Sequence, residues 1–219
     1  MKKTISRRAL ARTLGFATGA AAFSLGVARA AVVTPRQTEG PFYPERRADD
    51  VDMDLTRIDG HADLATGEQI LVHGQVLDTD GNPQPGATVD VWQANHHGRY
   101  AHSLDPNDAP LDPHFQGHGI IRTDDAGRYA FRTIRPGPYP LERLGGSGWR
   151  CRHIHFKVSG PGLKPLTTQM YFDGDPLIAQ DGQIAQVDEP LRHLLIAQAV
   201  PDEATGLPRY GFDLVLARG

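Results

Sequence analysis

Short alternating apolar runs recur along this chain between glycine- and proline-rich turns, while helical periodicity is scarce, and this pattern limits the fold more than any other feature. Alternate side chains of a β-strand share one face, so such runs predict half-buried strands. Many short strands separated by turns indicate an all-β protein, here a single β-sandwich domain with long functional loops. The predicted strands are residues 69–77, 88–93, 120–123, 129–133, 153–158, 166–172 and 210–216.

The connections between these runs carry three further expectations. Residues 124–127, Asp-Asp-Ala-Gly, predict a hairpin between the strands on either side. Residues 190–199 predict a short helix in the C-terminal half, because a proline lies near its first turn. The longest connections are residues 94–119, 135–148 and 173–186, and loops of such length in a compact domain usually carry function.

The N-terminal segment, residues 1–30, has the features of a signal peptide. A basic start precedes an apolar run that is too short and too rich in glycine to span a membrane, and Ala28-Arg29-Ala30 supplies a small-x-small cleavage site. Arg7 and Arg8 lie just ahead of the apolar run and form the twin-arginine feature of an export signal. An arginine pair is also common in any basic N-terminus. We expect export to the periplasm or the extracellular space.

The charge and cysteine content exclude several classes of function. Without residues 1–30 the chain keeps 17 basic and 26 acidic residues, a net charge of −9 with neutral histidine. Such a chain repels nucleic acid and anionic membranes unless it carries a local basic patch, and its basic residues form only short pairs. Neither a nucleic-acid nor a membrane partner is expected. Cys151 is the only cysteine, which excludes an intrachain disulfide and a thiolate metal site.

Residues 149–156, WRCRHIHF, place two histidines one residue apart at the start of a predicted strand. His153 and His155 would share a face at a backbone separation of roughly 7 Å, from which both can reach one metal ion. An ordinary strand with an outward polar face would give the same pattern. Tyr100 and Tyr139 follow the ends of predicted strands in glycine- and proline-rich turns, where each alone would be a packing residue at the sandwich rim.

Several long motifs occur in order along the chain: VDVWQANHHGRYAH, LDPHFQGHGIIRTDDAGRYAFRTIRPGPYP, WRCRHIHFKVSGPG and LTTQMYFDGDPL. With them the chain resembles the intradiol ring-cleavage dioxygenases, and within them the protocatechuate 3,4-dioxygenase type. The resemblance runs almost continuously over residues 72–216, and TEGPFYP at residues 38–44 is similar to the N-terminal arm motif of the family. The implied organisation is an arm over residues 31–68 and an intradiol dioxygenase β-sandwich domain over residues 69–219.

The resemblance implies a mononuclear non-haem Fe(III) with Tyr100, Tyr139, His153 and His155 as its ligands. Phenolates suit Fe(III), because they are hard ligands for a hard ion. The implied substrates are a catechol-type diol, such as protocatechuate, and O2, and the implied product is a cis,cis-muconic acid derivative. Tyr139 is expected to leave the metal and accept a substrate proton, so it is also a catalytic candidate.

Two further catalytic candidates come from the same resemblance. Arg150 completes an R-x-x-H-x-H pattern, and its charge would stabilise the electron-rich ring of a bound diol. Strict alternation would place Arg150 opposite His153, so we expect irregular backbone between them. Gln169, on the neighbouring strand, is expected to line the pocket. No role is assigned to Arg152 or to the loop histidines His96, His97, His102, His114 and His118.

Two departures from the family pattern leave the diol open among protocatechuate, catechol, hydroxyquinol and lignin-derived compounds. Cys151 and Arg152 stand where protocatechuate enzymes usually carry small residues or proline, and Leu141 stands where many carry a bulky aromatic. The protocatechuate type pairs two homologous chains. This chain alone carries all four proposed ligands, so we expect either that pairing or a homo-oligomer.

Two other classes of function compete with this interpretation. One is a non-catalytic β-sandwich module that binds carbohydrate or peptide, with the histidines and tyrosines as a polar rim. The other is a zinc or copper hydrolase built on the His-x-His pair. The hydrolase lacks an evident carboxylate near the pair and leaves Tyr100 and Tyr139 unexplained. The binding module would be colourless, whereas phenolate-to-Fe(III) charge transfer would colour the enzyme red-brown.

Overall fold

The computed structural model describes residues 31–45 and 52–219, so the predicted signal peptide lies outside the described residues. Two five-stranded sheets dominate this part of the chain, which confirms the predicted all-β architecture. Its strands are β1 (Gln69–Asp78), β2 (Thr88–Trp92), β3 (His118–Arg122), β4 (Arg128–Ile134), β5 (Tyr139–Pro140), β6 (Trp149–Arg150), β7 (His153–Ser159), β8 (Leu166–Phe172), β9 (Ile196–Ala197), β10 (Ala199–Pro201), β11 (Pro208–Gly211) and β12 (Leu214–Leu216).

The helices are short and lie in the loops. In the part of the chain that the structure describes, α-helix α1 spans Gly182–Ala185, and 3₁₀ helices span Glu142–Leu144, Ile178–Gln180 and Glu189–Leu195. Within the described ranges, no helix has the length and apolar character needed to cross a bilayer. These short helices lie in the connections between the strands.

The first sheet is centred on β1, which pairs with β4 on one side and with β11 and then β12 on the other. The second sheet has the order β3-β2-β7-β8-β9, and its central strand β7 carries the two histidines. A separate two-stranded ribbon, β5-β6, pairs Tyr139 with Arg150. This ribbon brings two of the predicted site residues side by side.

Aromatic side chains from both sheets meet in the core. Phe131 on β4 and Phe156 on β7 lie with their ring centroids 6.2 Å apart, and Phe212 lies 5.0 Å from Phe156. All three side chains are buried. The alternation of β7 therefore places Phe156 in the sandwich core and the histidines on the opposite face.

The predicted short helix over residues 190–199 is present, but its predicted extent is wrong. Its first part forms the 3₁₀ helix Glu189–Leu195, after which β9 pairs in parallel with β8 and β10 pairs with β11. The backbone of Ile196 and Ala197 thereby completes the edge of the second sheet beside Tyr171 and Phe172. This tertiary pairing outweighs a local helical preference, which is a weak determinant of structure.

The predicted hairpin at residues 124–127 is also wrong. A turn forms there, since the Gly127 N–H donates to the Asp124 carbonyl at 2.8 Å, but the strands that it connects enter different sheets. The chain therefore moves from one sheet to the other at the turn.

The predicted strand over residues 210–216 is divided into β11 and β12. The Phe212 N–H lies between these two strands and donates to the His73 carbonyl of β1. An alternating run that looks like one strand thus pairs with β1 as two separate strands.

The N-terminal arm runs from the first sheet to the second. The Thr34 N–H donates to the Val215 carbonyl of β12 at 3.0 Å, and the Gln37 N–H donates to the Thr167 carbonyl of β8 at 2.9 Å. The arm then reaches the histidine face, where Gly40 lies in the left-handed region. This path explains why a face with two histidines is buried.

We expect Phe131→Ala to lower the free energy of unfolding by about 3–5 kcal/mol, because it leaves a cavity between the sheets. Denaturant unfolding followed by far-UV circular dichroism would measure the loss. Leu104→Ala is the matched control, since this side chain is 69% exposed, and we expect a change within about 0.5 kcal/mol. Equal losses in the two variants would contradict the assignment of Phe131 to the core.

Candidate metal centre

Two imidazoles and one phenol converge at the start of β7. The Nε2 atom of His153 lies 3.3 Å from the Tyr100 hydroxyl oxygen, and the Nε2 atom of His155 lies 3.2 Å from the same oxygen. The histidine residues are 2% and 3% exposed, so both imidazoles are buried. The Tyr139 ring completes the cluster, with its centroid 5.8 Å from both the Tyr100 ring and the His153 ring.

Tyr100 and Tyr139 lie together because their two loops pack backbone against backbone. Gly98 has φ +79°, in the left-handed region, and a Cβ atom there would lie 2.2 Å from the Pro138 carbonyl oxygen. A Cβ atom on Gly137 would lie 2.4 Å from the Gly98 nitrogen. Any side chain at either position would separate the loops and the two phenols with them.

The polar atoms of this cluster cannot all be satisfied by one another. Nδ1 of His153 lies 2.7 Å from the Cys151 carbonyl oxygen, which can only accept, so this nitrogen carries the proton and Nε2 presents a lone pair. Nδ1 of His155 is buried without a hydrogen-bond partner in the described part of the chain. The Tyr100 hydroxyl has one proton for two imidazoles. A cation at this point would accept the lone pairs that remain.

Burial keeps these side chains neutral. It lowers the pKa of His153 and of His155 well below the usual histidine value, and the charge of Arg150 lowers both further. Burial raises the pKa of Tyr100, as does the neighbouring Tyr139. Burial also raises the pKa of Tyr139, although Arg150 opposes that change. Without a cation the cluster therefore holds two neutral imidazoles and two neutral phenols.

The tyrosines are essential to any metal site here. In the described ranges, no three residues among His, Cys, Asp and Glu are grouped closely enough to hold a metal ion. His153 and His155 would supply two ligands to a metal ion, and the neighbouring phenols of Tyr100 and Tyr139 would complete a set of four. A set of two imidazole nitrogens and two phenol oxygens suits a hard or borderline ion such as iron.

Arg150 lies beside Tyr139, as the pairing of β5 with β6 requires. Its Nη1 donates to the Tyr139 hydroxyl at 3.4 Å and its Nη2 donates to Oε1 of Gln169 at 2.6 Å. The amide nitrogen of Gln169 in turn donates to the Thr38 carbonyl of the arm. Gln169 thus links Arg150 to the arm, and the structure brings all six predicted site residues into one buried cluster.

The expected irregular backbone before His153 is present. Strand β6 ends at Arg150 and β7 begins at His153, with Cys151 and Arg152 between them outside any strand. The break lets Arg150 face the same cluster as His153. Arg152 turns away and lies against Asp175, at 3.4 Å between Nη1 and the carboxylate.

Sequence reasoning did not identify Asp181 or Trp92. Oδ2 of Asp181 accepts from Nε of Arg150 at 2.8 Å and from the Cys151 N–H at 2.9 Å. Burial alone would raise the pKa of Asp181, but the charge and hydrogen bond of Arg150 outweigh burial and lower it. Trp92 lies stacked on the His155 ring. Asp181 is 31 positions from Arg150, and no local pattern connects the two.

Comparison with known proteins agrees with this geometry. A family model described as "Dioxygenase" matches residues 38–218. The chain is 43% identical over 184 residues to the protocatechuate 3,4-dioxygenase beta chain of Burkholderia cepacia, covering 83% of this chain and 78% of that protein. It is 38% identical over 169 residues to catechol 1,2-dioxygenase 2 of Acinetobacter lwoffii, covering 71% of this chain and 57% of that protein.

A solved structure shows the same architecture. The dioxygenase domain of a dioxygenase–carbohydrate-binding protein fusion from Streptomyces sp. SirexAA-E matches with a TM-score of 0.62 and 29% identity, over 86% of this chain and 100% of that one. The chain belongs to the intradiol ring-cleavage dioxygenase family, as its motifs indicate, and is therefore an enzyme of the oxidoreductase class. It spans little more than half the length of the catechol 1,2-dioxygenase that it matches.

We expect Asp181→Asn to lower the free energy of unfolding by about 3–5 kcal/mol, because it leaves the buried Arg150 charge without its carboxylate. Asp108→Asn is the control. It removes a carboxylate from an exposed pair with Arg143, for which about 1 kcal/mol or less is expected. Urea unfolding at neutral pH would measure both. Similar small losses in the two variants would mean that Asp181 does not anchor Arg150.

Proposed function

We propose that this chain is an Fe(III)-dependent dioxygenase that uses O2 to cleave a catechol-type diol between its hydroxyl-bearing carbons, giving a cis,cis-muconic acid derivative. The observation that carries the proposal is the convergence of two buried imidazoles and two buried phenols, with a guanidinium beside one phenol. Relatives named for protocatechuate, catechol and hydroxyquinol support a diol substrate.

Tyr100, Tyr139, His153 and His155 are the proposed ligands. When bound, Fe(III) would hold both phenols as phenolates and withdraw electron density from a diol bound to it. The contact between His153 and the Cys151 carbonyl fixes the ring so that Nε2 faces the centre. The glycine-dependent packing of the two loops keeps the Tyr100 and Tyr139 rings next to each other, with their centroids 5.8 Å apart.

Tyr139 is the residue that we propose as proton acceptor. Burial raises the pKa of its hydroxyl, so a Tyr139 phenolate displaced from its ligand position would be a strong base. Nη1 of Arg150 lies within 3.4 Å of that oxygen and would orient it. A proton from a diol hydroxyl would then rest on the Tyr139 oxygen.

Arg150 is proposed to stabilise negative charge on the ring of the bound diol. Its guanidinium is fixed before any substrate arrives, because Asp181 and Gln169 each accept one of its N–H groups. Preorganised charge of this kind is among the largest contributions to catalysis in buried sites.

The diol itself would be identified by oxygen uptake with protocatechuate, catechol and hydroxyquinol, with the product measured by mass.

Export and assembly are proposed from other observations. The twin-arginine pattern and cleavage site in residues 1–30 support export of the folded protein. A relative named as a beta chain supports pairing with a homologous chain, whereas the presence of all four proposed ligands in this chain supports a homo-oligomer. Light scattering of the purified protein would distinguish a homo-oligomer from a chain that needs a partner.

We expect His153→Ala to lose bound iron and the red-brown colour, because it removes one of four ligands. Iron per chain by elemental analysis and the visible absorption spectrum would measure the loss. His97→Ala is the matched control, since this exposed loop histidine does not face the cluster, and it should keep its iron. A His153→Ala protein with a full complement of iron would refute the ligand assignment.

We expect Arg150→Ala to keep its iron and to lower kcat by roughly 10²–10³-fold, the usual effect of removing one preorganised charge or donor. Arg150→Lys retains a charge for Asp181 but loses the planar fork, so an intermediate kcat is expected. Arg152→Ala, two residues away and directed at Asp175, is the control and should stay close to the unchanged enzyme. Equal kcat values for the alanine variants would contradict the role of Arg150.

A further inference from the structure

The two histidines of the cluster are oriented by different means. His153 has the hydrogen bond that metal-binding histidines usually make through their second nitrogen, here to the Cys151 carbonyl. His155 lacks one, because its Nδ1 is buried and has no hydrogen-bond partner within the described ranges. Some other contact must therefore fix the orientation of the His155 ring.

Trp92 makes that contact. Its ring lies 4.7 Å from the His155 ring between centroids, with only 8° between the two planes, so the rings are stacked face to face. Trp92 and His155 are also directly paired across β2 and β7, which places their backbones in register. Stacking of two aromatic rings contributes stabilisation in addition to that from the burial of their surface.

Trp92 itself needs support, because its Nε1 has no hydrogen-bond partner in the described part of the chain. Trp92 is 1% exposed and forms part of the wall of a cavity of about 610 Å³. The Tyr43 ring meets the Trp92 ring edge-on, with centroids 5.0 Å apart and planes at 86°. Tyr43 therefore limits how far the indole can tilt away from His155.

A buried hydrogen-bonded series holds Tyr43 in turn. The Tyr43 hydroxyl donates to Oδ2 of Asp90 at 2.7 Å, and the other carboxylate oxygen lies 2.8 Å from Nε2 of His118. Asp90 and His118 are each at least nine-tenths buried and lie on the paired strands β2 and β3. The series joins the arm to the second sheet directly behind the indole.

We propose that Trp92 is a positioning residue for His155, taking the place of the missing hydrogen bond, and that His118, Asp90 and Tyr43 hold Trp92 against the ring. The proposal rests on the proposed role of His155 as an iron ligand. It gives a function to one loop-end histidine that the sequence left unassigned. It also explains why a tryptophan is buried with its polar atom unpaired.

The test is the rate at which a chelator removes iron from the purified enzyme, followed by loss of the visible band. We expect Trp92→Leu to lose iron about 10- to 100-fold faster, the range typical when support of a metal-binding histidine is removed. The absorption maximum should also shift as the ring turns. Trp92→Phe keeps a stacking ring and should restore most of the retention.

Three controls separate positioning from general destabilisation. Trp149→Leu changes the other tryptophan of the chain, which is largely exposed, and should leave the rate unchanged. Phe131→Ala destabilises the core away from the cluster and should not shift the absorption maximum. Tyr43→Phe removes the hydroxyl contact with Asp90 and keeps the ring against Trp92, so we expect a smaller acceleration of iron loss. This variant remains informative if Trp92→Leu fails to fold.

The outcomes distinguish this proposal from the proposed function. If Trp92→Leu and Tyr43→Phe lose iron no faster than Trp149→Leu, the positioning role is overturned, while loss of iron in His153→Ala would still support the metal site. If Phe131→Ala reproduces the faster loss and the spectral shift, the effect is one of stability and the proposal fails. If His153→Ala keeps its iron, the proposed function fails first.

Discussion

Burial of two imidazoles and two phenols at one end of the β-sandwich is the constraint on which the rest of the site depends. Buried polar groups are costly unless each finds a partner, and these four have too few protons among them. Each ring of the cluster is therefore fixed by its surroundings, and the remaining lone pairs suit a cation. The Cys151 carbonyl fixes one histidine, a stacked indole meets the other, and two glycines let the tyrosine loops approach.

A single buried positive charge complements this neutral cluster. Arg150 reaches it only because the backbone breaks between β6 and β7, and its charge is offset by Asp181 from the loop that follows β8. Gln169 links the same guanidinium to the N-terminal arm. The charge that would face a diol is therefore held by three separate segments, which explains how its position is set before the substrate binds.

The predicted elements fail where the chain changes partners. Residues 120–133 have the pattern of a hairpin, yet β3 and β4 belong to different sheets. Residues 190–199 have a helical preference, yet Ile196 and Ala197 pair with β8. The local sequence pattern predicts which side chains are apolar and where turns occur. It does not predict which strand will accept a given backbone hydrogen bond, because that depends on segments far away in sequence.

The sequence by itself determined the all-β class, the family and the six residues of the predicted site, because alternation, turn residues and long motifs are local properties. Only the tertiary structure decided how those residues are held. Asp181 lies in a loop, Trp92 and Asp90 on β2 and His118 on β3, and each is defined by contacts that exist only after the sheets have packed. Partners that are distant in sequence meet through folding, so no spacing along the chain could have revealed them.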